Sequence, residues 1–376
     1  MNTIPKQRLT VSLVNLVLVV TTGLLLVLLW QLRSLLVTLM IAVVVAAALA
    51  PIIDSAQKLR VPRWLAVIVV YLGLIGILTG AGVLIGPTVV QQIERLIRRL
   101  PTYLEIVRSL FENLVIRLGV SDPESVSPIR QLFDVQGLTG WAIRSSQELL
   151  VRSYSVTRGI LGGVFSLFLA LLLSGYMLSG SENLIHGLVS LFPKPWDERL
   201  AAQVEPVSQR MGGYIQGRVL VSGILGIAIT IGLGFLGLSE FALGLGVIAG
   251  FTNLIPFLGP VLGAIPALIV AIAQGGLTFF WVLLLFVIIQ NVETYVLDPL
   301  LVGSTVNVHP LYQLLAVLGG TQVLGIIGAL IVPPWVAGAA VLLENLYLKP
   351  KQLAEQQDGD IVPLSTVETS NIPVNR

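Results

Sequence analysis

A single carboxylate, Glu293, lies within an apolar segment long enough to cross a membrane, from Leu277 to about Leu297. Gln290 falls on the same helical face as Glu293. Placing a carboxylate at membrane depth costs free energy, so such a residue is by default a functional candidate. Glu293 could exchange protons, ligate a cation or accept hydrogen bonds from a polar solute. The alternative is an interfacial Glu293, about 24 Å along the helix, that faces headgroups or an oligomer contact.

A second candidate is the uncharged segment 241–273, which contains Pro256, Pro260 and Pro266. As one straight helix it would be about 50 Å long, whereas the hydrocarbon core of a bilayer is only ~30 Å thick. The segment must therefore break, fold back or tilt steeply. Breaks at membrane depth are tolerated inside protein or along an aqueous cavity, and in transporters they often mark the binding site.

Small and polar residues flank these breaks. Asn253 can satisfy backbone groups freed by the first break or bind a substrate. A second overlong apolar segment, Leu314–Leu343, is interrupted by Gly319 and Gly320. Together with Gly259 in the first segment, these glycines would let backbone amides and carbonyls line a cavity. We expect the two broken segments to face each other.

Two further acidic residues interrupt the apolar sequence between Arg218 and Glu344, and neither is expected to carry chemistry. Glu240 falls in a predicted turn and is expected to face water. Asp298 precedes Pro299 and is interpreted as a structural cap, because a helix usually ends before the residue that precedes a proline.

The chain offers little for catalysis or metal binding. It has no cysteine, which excludes thiol catalysis, disulfides and thiolate metal sites. Its two histidines, His186 and His309, form no His-Glu metal helix, and there is no nucleophile elbow, aspartate pair within a span or phosphate loop. We therefore predict no enzyme activity, no catalytic residue, no cofactor and no metal site.

Composition indicates a membrane protein. Apolar residues make up 55% of the 376 residues and charged residues 11%, where a soluble domain carries roughly 25% charge. The net charge of +2 and the scattered basic residues argue against a nucleic-acid partner. The predicted fold is all-α: a polytopic helical membrane protein, in contact with the lipid bilayer, with broken or re-entrant helices.

Counting each long apolar segment once gives about eight spans, and a re-entrant hairpin would change the count by one. Basic residues in the short loops predict that both termini face the cytoplasm. The predicted spans are Leu9–Trp30, Ser34–Ile53, Trp64–Gly86, Gly159–Ser181, Val219–Ser239, the broken segment 241–273, Leu277–Leu297 and Leu314–Leu343.

Residues 87–158, between spans three and four, form an amphipathic region. An apolar stripe at helical period runs from Val89 to Leu118, with charged residues opposite. Pro101 is expected to split this region into two helices. The stripe fits a membrane-surface layer or an oligomer contact, and the alternative is a helical hairpin packed on itself.

The sequence thus divides into six parts. They are an N-terminal three-span unit (1–86), amphipathic helices outside the bilayer or at its interface (87–158), the fourth span (159–182), an amphipathic linker (183–217), a C-terminal transport core with broken helices (218–348) and a disordered tail (349–376).

Pairs of glycines four residues apart are candidates for close helix packing. They are Gly76 and Gly80, Gly82 and Gly86, Gly246 and Gly250, and Gly259 and Gly263. In an apolar chain with 37 glycines some pairs arise by chance.

From about Leu9 to Leu348 the chain resembles the AI-2E (autoinducer-2 exporter, PerM-like) transporters. The motifs that carry the resemblance are Tyr214-x-x-Gly217, Asn253-Leu254-Ile255-Pro256-x-x-Gly259-Pro260, Gln290-x-x-Glu293, Leu297-x-Pro299, His309-Pro310 and Gly319-Gly320. In one departure, Arg218 stands where the family often has glutamine.

The resemblance implies a homo-oligomeric, multi-pass protein of the bacterial inner (plasma) membrane. It implies export of a small polar solute, an autoinducer-2-like signal or a metabolite, coupled to proton movement. The alternatives are a sodium– or lithium–proton antiporter, whose partner is a monovalent cation, and a non-transporting membrane scaffold. The expected transport site comprises Glu293, Gln290, Asn253, Pro256, Gly259, Pro260, Gly319 and Gly320, with Glu293 taking up and releasing the proton.

Overall fold

The computed structural model describes residues 13–117, 153–303 and 309–360, and every regular element in these ranges is helical. The predicted all-α fold is confirmed. The elements are α1 (Leu13–Gln31), α2 (Arg33–Gln57), α3 (Arg63–Arg117), α4 (Ser153–Ser179), α5 (Ser181–Val189), α6 (Trp196–Phe235), α7 (Ala242–Thr252), α8 (Leu258–Gln274), α9 (Gly276–Val292), the π-helical segment Glu293–Gly303, α10 (Pro310–Leu343), a π-helical turn Glu344–Leu348 and α11 (Lys349–Asp360).

Five helical stretches within the described residues are long and apolar enough to cross a membrane. They contain α2, α3, α6, α9 with the π-helical segment, and α10 with its extension. Helices α4 and α5 meet at a bend of 86° and together add a sixth candidate. Large apolar side chains are exposed on most of these helices, as expected where lipid replaces water.

Helix α6 is the centre of the packing. It contacts α2, α7, α10 and the π-helical segment, and its inner face carries the buried residues Val221 and Leu225. These two side chains pack with Tyr214, with Val302 of the π-helical segment and with Ala337 of α10. The elements that carry the candidate residues are thereby held against one helix.

The first broken segment is a helical hairpin. Helices α7 and α8 pack against each other on either side of the turn 253–257. A Cβ on Gly259 would lie 2.6 Å from the Asn253 Cα, and one on Gly263 would lie 2.7 Å from the Ala249 Cα. Only glycine allows this approach, which is closer than real Cβ contacts permit. The hairpin therefore depends on both glycines.

The other glycine pairs divide into two groups. Gly246 and Gly250 bring α7 onto α6, since a Cβ on Gly250 would lie 2.9 Å from the Ser222 carbonyl oxygen. The four glycines of α3 have nothing within 4 Å of a Cβ; they are Gly76, Gly80, Gly82 and Gly86. The spacing predicted a close contact correctly on α7 and α8, and on α3 no described residue makes one.

The second broken segment is a hairpin as well. Helix α10 is interrupted at Gly325, whose φ of 65° and ψ of −151° are not helical. The two arms meet where Gly320 and Gly328 place their backbones together. Both hairpins pack on α6 and do not pack extensively on each other within the described residues. Close packing of the two broken segments on each other is therefore not observed in the described part of the chain.

Three local expectations also differ from the structure. Helix α3 continues through Pro101 instead of breaking there, because proline removes one hydrogen bond that a long packed helix can lose. Helix α6 runs unbroken across the predicted boundary at residue 217. Residues 349–360 form α11, supported by a Lys351–Glu355 ion pair of 3.6 Å, where a disordered tail was predicted. Residues 1–12, 118–152, 304–308 and 361–376 of the predicted parts lie outside the described residues.

Candidate functional site

A cavity of about 550 Å³ lies between α6, the α7–α8 hairpin, α9, the π-helical segment and the start of α10. Much of the lining is apolar and comes from residues such as Pro256, Phe257, Pro260 and Phe286. Among the described residues, the polar groups of the lining are Tyr214, Arg218, Gln290, Glu293, Thr294, Asp298 and Gln313. A largely apolar cavity with a few polar groups suits a small polar ligand that must be held in one orientation.

Close backbone contact brings Arg218 to this cavity. A Cβ on the preceding residue, Gly217, would lie 2.9 Å from the Leu301 carbonyl carbon. The missing side chain therefore lets the π-helical segment rest directly on α6. This places the Arg218 guanidinium, whose side chain is 7% exposed, beside two carboxylates of that segment.

Glu293 begins the π-helical segment and is 3% exposed. Its Oε1 lies 3.1 Å from Arg218 Nη1 and accepts a hydrogen bond of 3.0 Å from Asn253 Nδ2. A buried carboxylate requires such partners, because burial of an unpaired charge is very costly. Three elements therefore meet at one oxygen: α6, the turn of the α7–α8 hairpin and the π-helical segment.

Asp298 is the second carboxylate of the cavity. Arg218 Nη1 donates a hydrogen bond of 3.3 Å to Asp298 Oδ1, and the Asp298 side chain is 40% exposed. The sequence interpretation of Asp298 as a helix cap missed this role. Asp298 lies inside a π-helical segment that continues through Pro299, so no helix ends there.

The turn of the α7–α8 hairpin is strained where it meets the cavity. Leu258 N donates a hydrogen bond of 2.7 Å to Pro256 O, and the central residue, Phe257, has φ 64° and ψ −45°. This is the rare γ-turn with a positive central φ. A non-glycine residue in such a region persists only where its surroundings hold it, and such residues gather at functional sites.

The family described as AI-2E family transporter matches residues 16–348, which include every element around the cavity. The chain belongs to the AI-2E transporter family. This AI-2E chain is 27% identical over 302 residues to YueF of Bacillus subtilis, whose name is that of a candidate transport protein; the match covers 79% of the chain and 80% of YueF.

Two further relatives have similar coverage. YrrI of Bacillus subtilis, also named as a candidate transport protein, is 26% identical over 321 residues, with 83% of the chain and 86% of YrrI covered. PerM of Escherichia coli K12, named as a candidate permease, is 28% identical over 295 residues, with 76% of the chain and 80% of PerM covered. The AI-2E chain is thus a multi-pass membrane protein of a family of transporters.

The structure brings together six of the eight predicted site residues. Gln290, Glu293, Pro256 and Pro260 line the cavity, with Gln290 Nε2 3.5 Å from Thr294 Oγ1. Asn253 lies directly behind Glu293, and Gly259 packs against the backbone of the same turn. The other two residues, Gly319 and Gly320, are on α10 and do not line this cavity; Gly320 packs on Gly328, and Gly319 is exposed.

Arg218, Asp298 and Tyr214 are the site residues that sequence reasoning missed or assigned elsewhere. A signal was present in the charge balance. Arg218 borders a stretch in which Glu240, Glu293 and Asp298 are the only charged residues before Glu344. Since intramembrane carboxylates pair with cations, the arginine that opens this stretch was a candidate partner for them. Tyr214 lies one helical turn before it, on the same face.

Proposed function

We propose that this AI-2E chain carries a small polar solute across the bacterial inner membrane through this cavity, exporting it in exchange for protons. The observation that supports the proposal most is the buried Arg218–Glu293–Asn253 network at the cavity wall. It joins a broken helical hairpin to an ion pair between two helical stretches that are long and apolar enough to cross a membrane. Buried charged groups in such stretches cost free energy and are typical of functional sites.

The charge of the cavity favours a cation as the second candidate cargo. Among the described residues, the charged groups that line it are one cation, Arg218, and two carboxylates, Glu293 and Asp298, so their sum is −1 when both carboxylates are ionised. A net negative site attracts a monovalent cation or a proton and repels an anion. Sodium– or lithium–proton exchange is therefore the alternative function.

Proton movement in proteoliposomes separates these functions. Vesicles loaded with a pH-sensitive dye would receive a pulse of sodium, lithium or, as a control, choline chloride. For the antiporter we expect proton flux with sodium or lithium that is lost in Glu293→Gln. Glu240→Gln is the matched control, because Glu240 lies outside the cavity and pairs with Arg99.

Solute export has its own readout. Inverted membrane vesicles would be tested for proton-gradient-dependent uptake of a panel of small hydroxylated solutes, with and without an uncoupler. Uptake that Glu293→Gln abolishes supports export. Correctly folded protein that moves neither cations nor solutes in both assays would contradict the proposal and favour a scaffold.

A further inference from the structure

The two carboxylates of the cavity share one nitrogen. Arg218 Nη1 lies 3.1 Å from Glu293 Oε1 and 3.3 Å from Asp298 Oδ1. One guanidinium can neutralise only one of two ionised carboxylates, so while both are ionised one carboxylate charge is not balanced. The surroundings of the two groups decide which one gains and loses a proton.

Glu293 is fixed. It is almost fully buried, and the same oxygen that meets Arg218 also accepts the Asn253 hydrogen bond. Protonating Glu293 would weaken two charge-assisted contacts at once, and these are the stronger class of hydrogen bond.

Asp298 is open. Two-fifths of its side chain is exposed (40%), and it lines the cavity. Among the described residues its hydrogen-bonding partner is Arg218 alone, at the longer of the two distances. Protonation of Asp298 would leave Arg218 paired with Glu293 and would take the sum of the three charges from −1 to 0.

We infer that Asp298 is the carboxyl group that exchanges the transported proton, while Glu293 is a positioning residue that holds Arg218 and the hairpin turn in place. This inference rests on the proposed function and assigns its coupling step to one residue. Within the part of the chain that the structure describes, the charged or titratable groups that face Asp298 are Arg218 and Tyr214 from α6 and Glu293 from its own segment. Helices α9 and α10 contribute the uncharged Gln290 and Gln313 to the cavity.

The proton and the cargo compete for the negative charge of Asp298. When Asp298 releases its proton, the cavity gains one negative charge, and a cation or a cationic edge of the cargo can take its place. When the cargo leaves, Asp298 binds a proton again. Arg218 remains paired with Glu293 throughout, so neither charge of the buried ion pair is left unpaired in apolar surroundings.

Carbodiimide labelling tests this assignment without knowledge of the cargo. N,N′-dicyclohexylcarbodiimide adds to protonated carboxyl groups in apolar surroundings, and intact-mass spectrometry counts the adducts on the purified full chain. We expect one site-specific adduct whose yield falls as pH rises, that persists in Glu293→Gln and is absent in Asp298→Asn. An adduct that persists in Asp298→Asn and disappears in Glu293→Gln would overturn the assignment, as would no difference between the variants.

The proteoliposome assay adds the transport readout. We expect at least a tenfold loss of proton flux in Asp298→Asn and recovery of flux with a shifted pH profile in Asp298→Glu, which keeps a carboxyl group. A fully active Asp298→Asn protein would overturn the inference while leaving the proposed transport intact. If the wild-type protein moves no protons with any probe, the proposed coupling fails, and the labelling result alone then decides which carboxyl group binds the proton.

Discussion

Asn253 and Glu293, 40 residues apart in the chain, are joined by a hydrogen bond of 3.0 Å from the Asn253 amide to the Glu293 carboxylate. Asn253 closes α7 at the turn of a hairpin, and Glu293 is the first residue of the π-helical segment. Each residue stands where a regular α-helix stops. Backbone irregularity and buried charge therefore occur at the same place, which is the arrangement that transporters use around their binding sites.

The first prediction concerns Arg218. Replacing it with glutamine leaves Glu293 buried without its cation, and removing one partner of a buried ion pair costs about 3–5 kcal/mol. We expect a large fall in the thermal unfolding temperature of the detergent-solubilised protein, measured by intrinsic tryptophan fluorescence.

The matched control removes both charges. In the double variant Arg218→Gln with Glu293→Gln, no unpaired buried carboxylate remains at position 293, so much of the lost stability should return. Strict additivity of the two single effects would mean that the residues do not interact.

The sequence located the irregular elements and the buried carboxylate for physical reasons. Charged residues are so rare in the last spans that Glu293 is conspicuous, and the prolines around Pro256 predict a break from backbone chemistry alone. The pairing of Arg218 with Asp298 across 80 residues was not accessible in this way. It depends on how the π-helical segment rests on α6, which no local pattern specifies.

The roles of Gly319 and Gly320 show a second limit. Successive residues of a helix point about 100° apart, so one glycine faces the hairpin partner and its neighbour does not. Apart from Thr321 and Gln322, the residues from Leu314 to Leu343 are all apolar, so α10 has no continuous polar face. A helix without a polar face gives no indication of which side is packed.

The second prediction concerns the contact between Gly320 and Gly328, where the two arms of α10 meet. A Cβ on Gly328 would lie 2.6 Å from the Gly320 carbonyl carbon, so Gly328→Ala must push the two arms of α10 apart. Overpacking of this kind costs about 1–3 kcal/mol. Gly319→Ala is the control, because a Cβ there meets nothing within 4 Å. We expect a lower unfolding temperature for Gly328→Ala and an unchanged or higher one for Gly319→Ala; equal values would rule out the hairpin contact.

The third prediction concerns the strained turn at Phe257. Phe257→Ala and Phe257→Gly both remove the ring from the cavity wall, and only glycine adopts the positive φ without strain. Strain at such positions is of order 1–3 kcal/mol, offset in part by the greater flexibility of glycine in the unfolded chain. We expect the glycine variant to be more stable than the alanine variant by about 1 kcal/mol in denaturant unfolding. An alanine variant that is the more stable would show that the turn is not strained.

The fourth prediction concerns movement of the α7–α8 hairpin. Gln92 of α3 accepts a hydrogen bond of 2.7 Å from Gly244 N near the start of α7, and a Cβ on Gly244 would lie 3.1 Å from the Gln92 Cβ. Disulfides join Cβ atoms about 3.8 Å apart, so cysteines at both positions need only a small backbone shift to bond. The chain contains no cysteine of its own, which makes the cross-link specific.

If cargo exchange requires the hairpin to move away from α3, oxidation of the Gln92→Cys, Gly244→Cys protein should abolish transport, and a reductant should restore it. Each single cysteine variant controls for the substitutions, since neither can form the intramolecular bond. If mass spectrometry shows that the protein is cross-linked and it still transports fully, the hairpin stays on α3 throughout the cycle. The moving element would then have to be α9, α10 or the π-helical segment, the other described elements that pack on α6 beside the cavity.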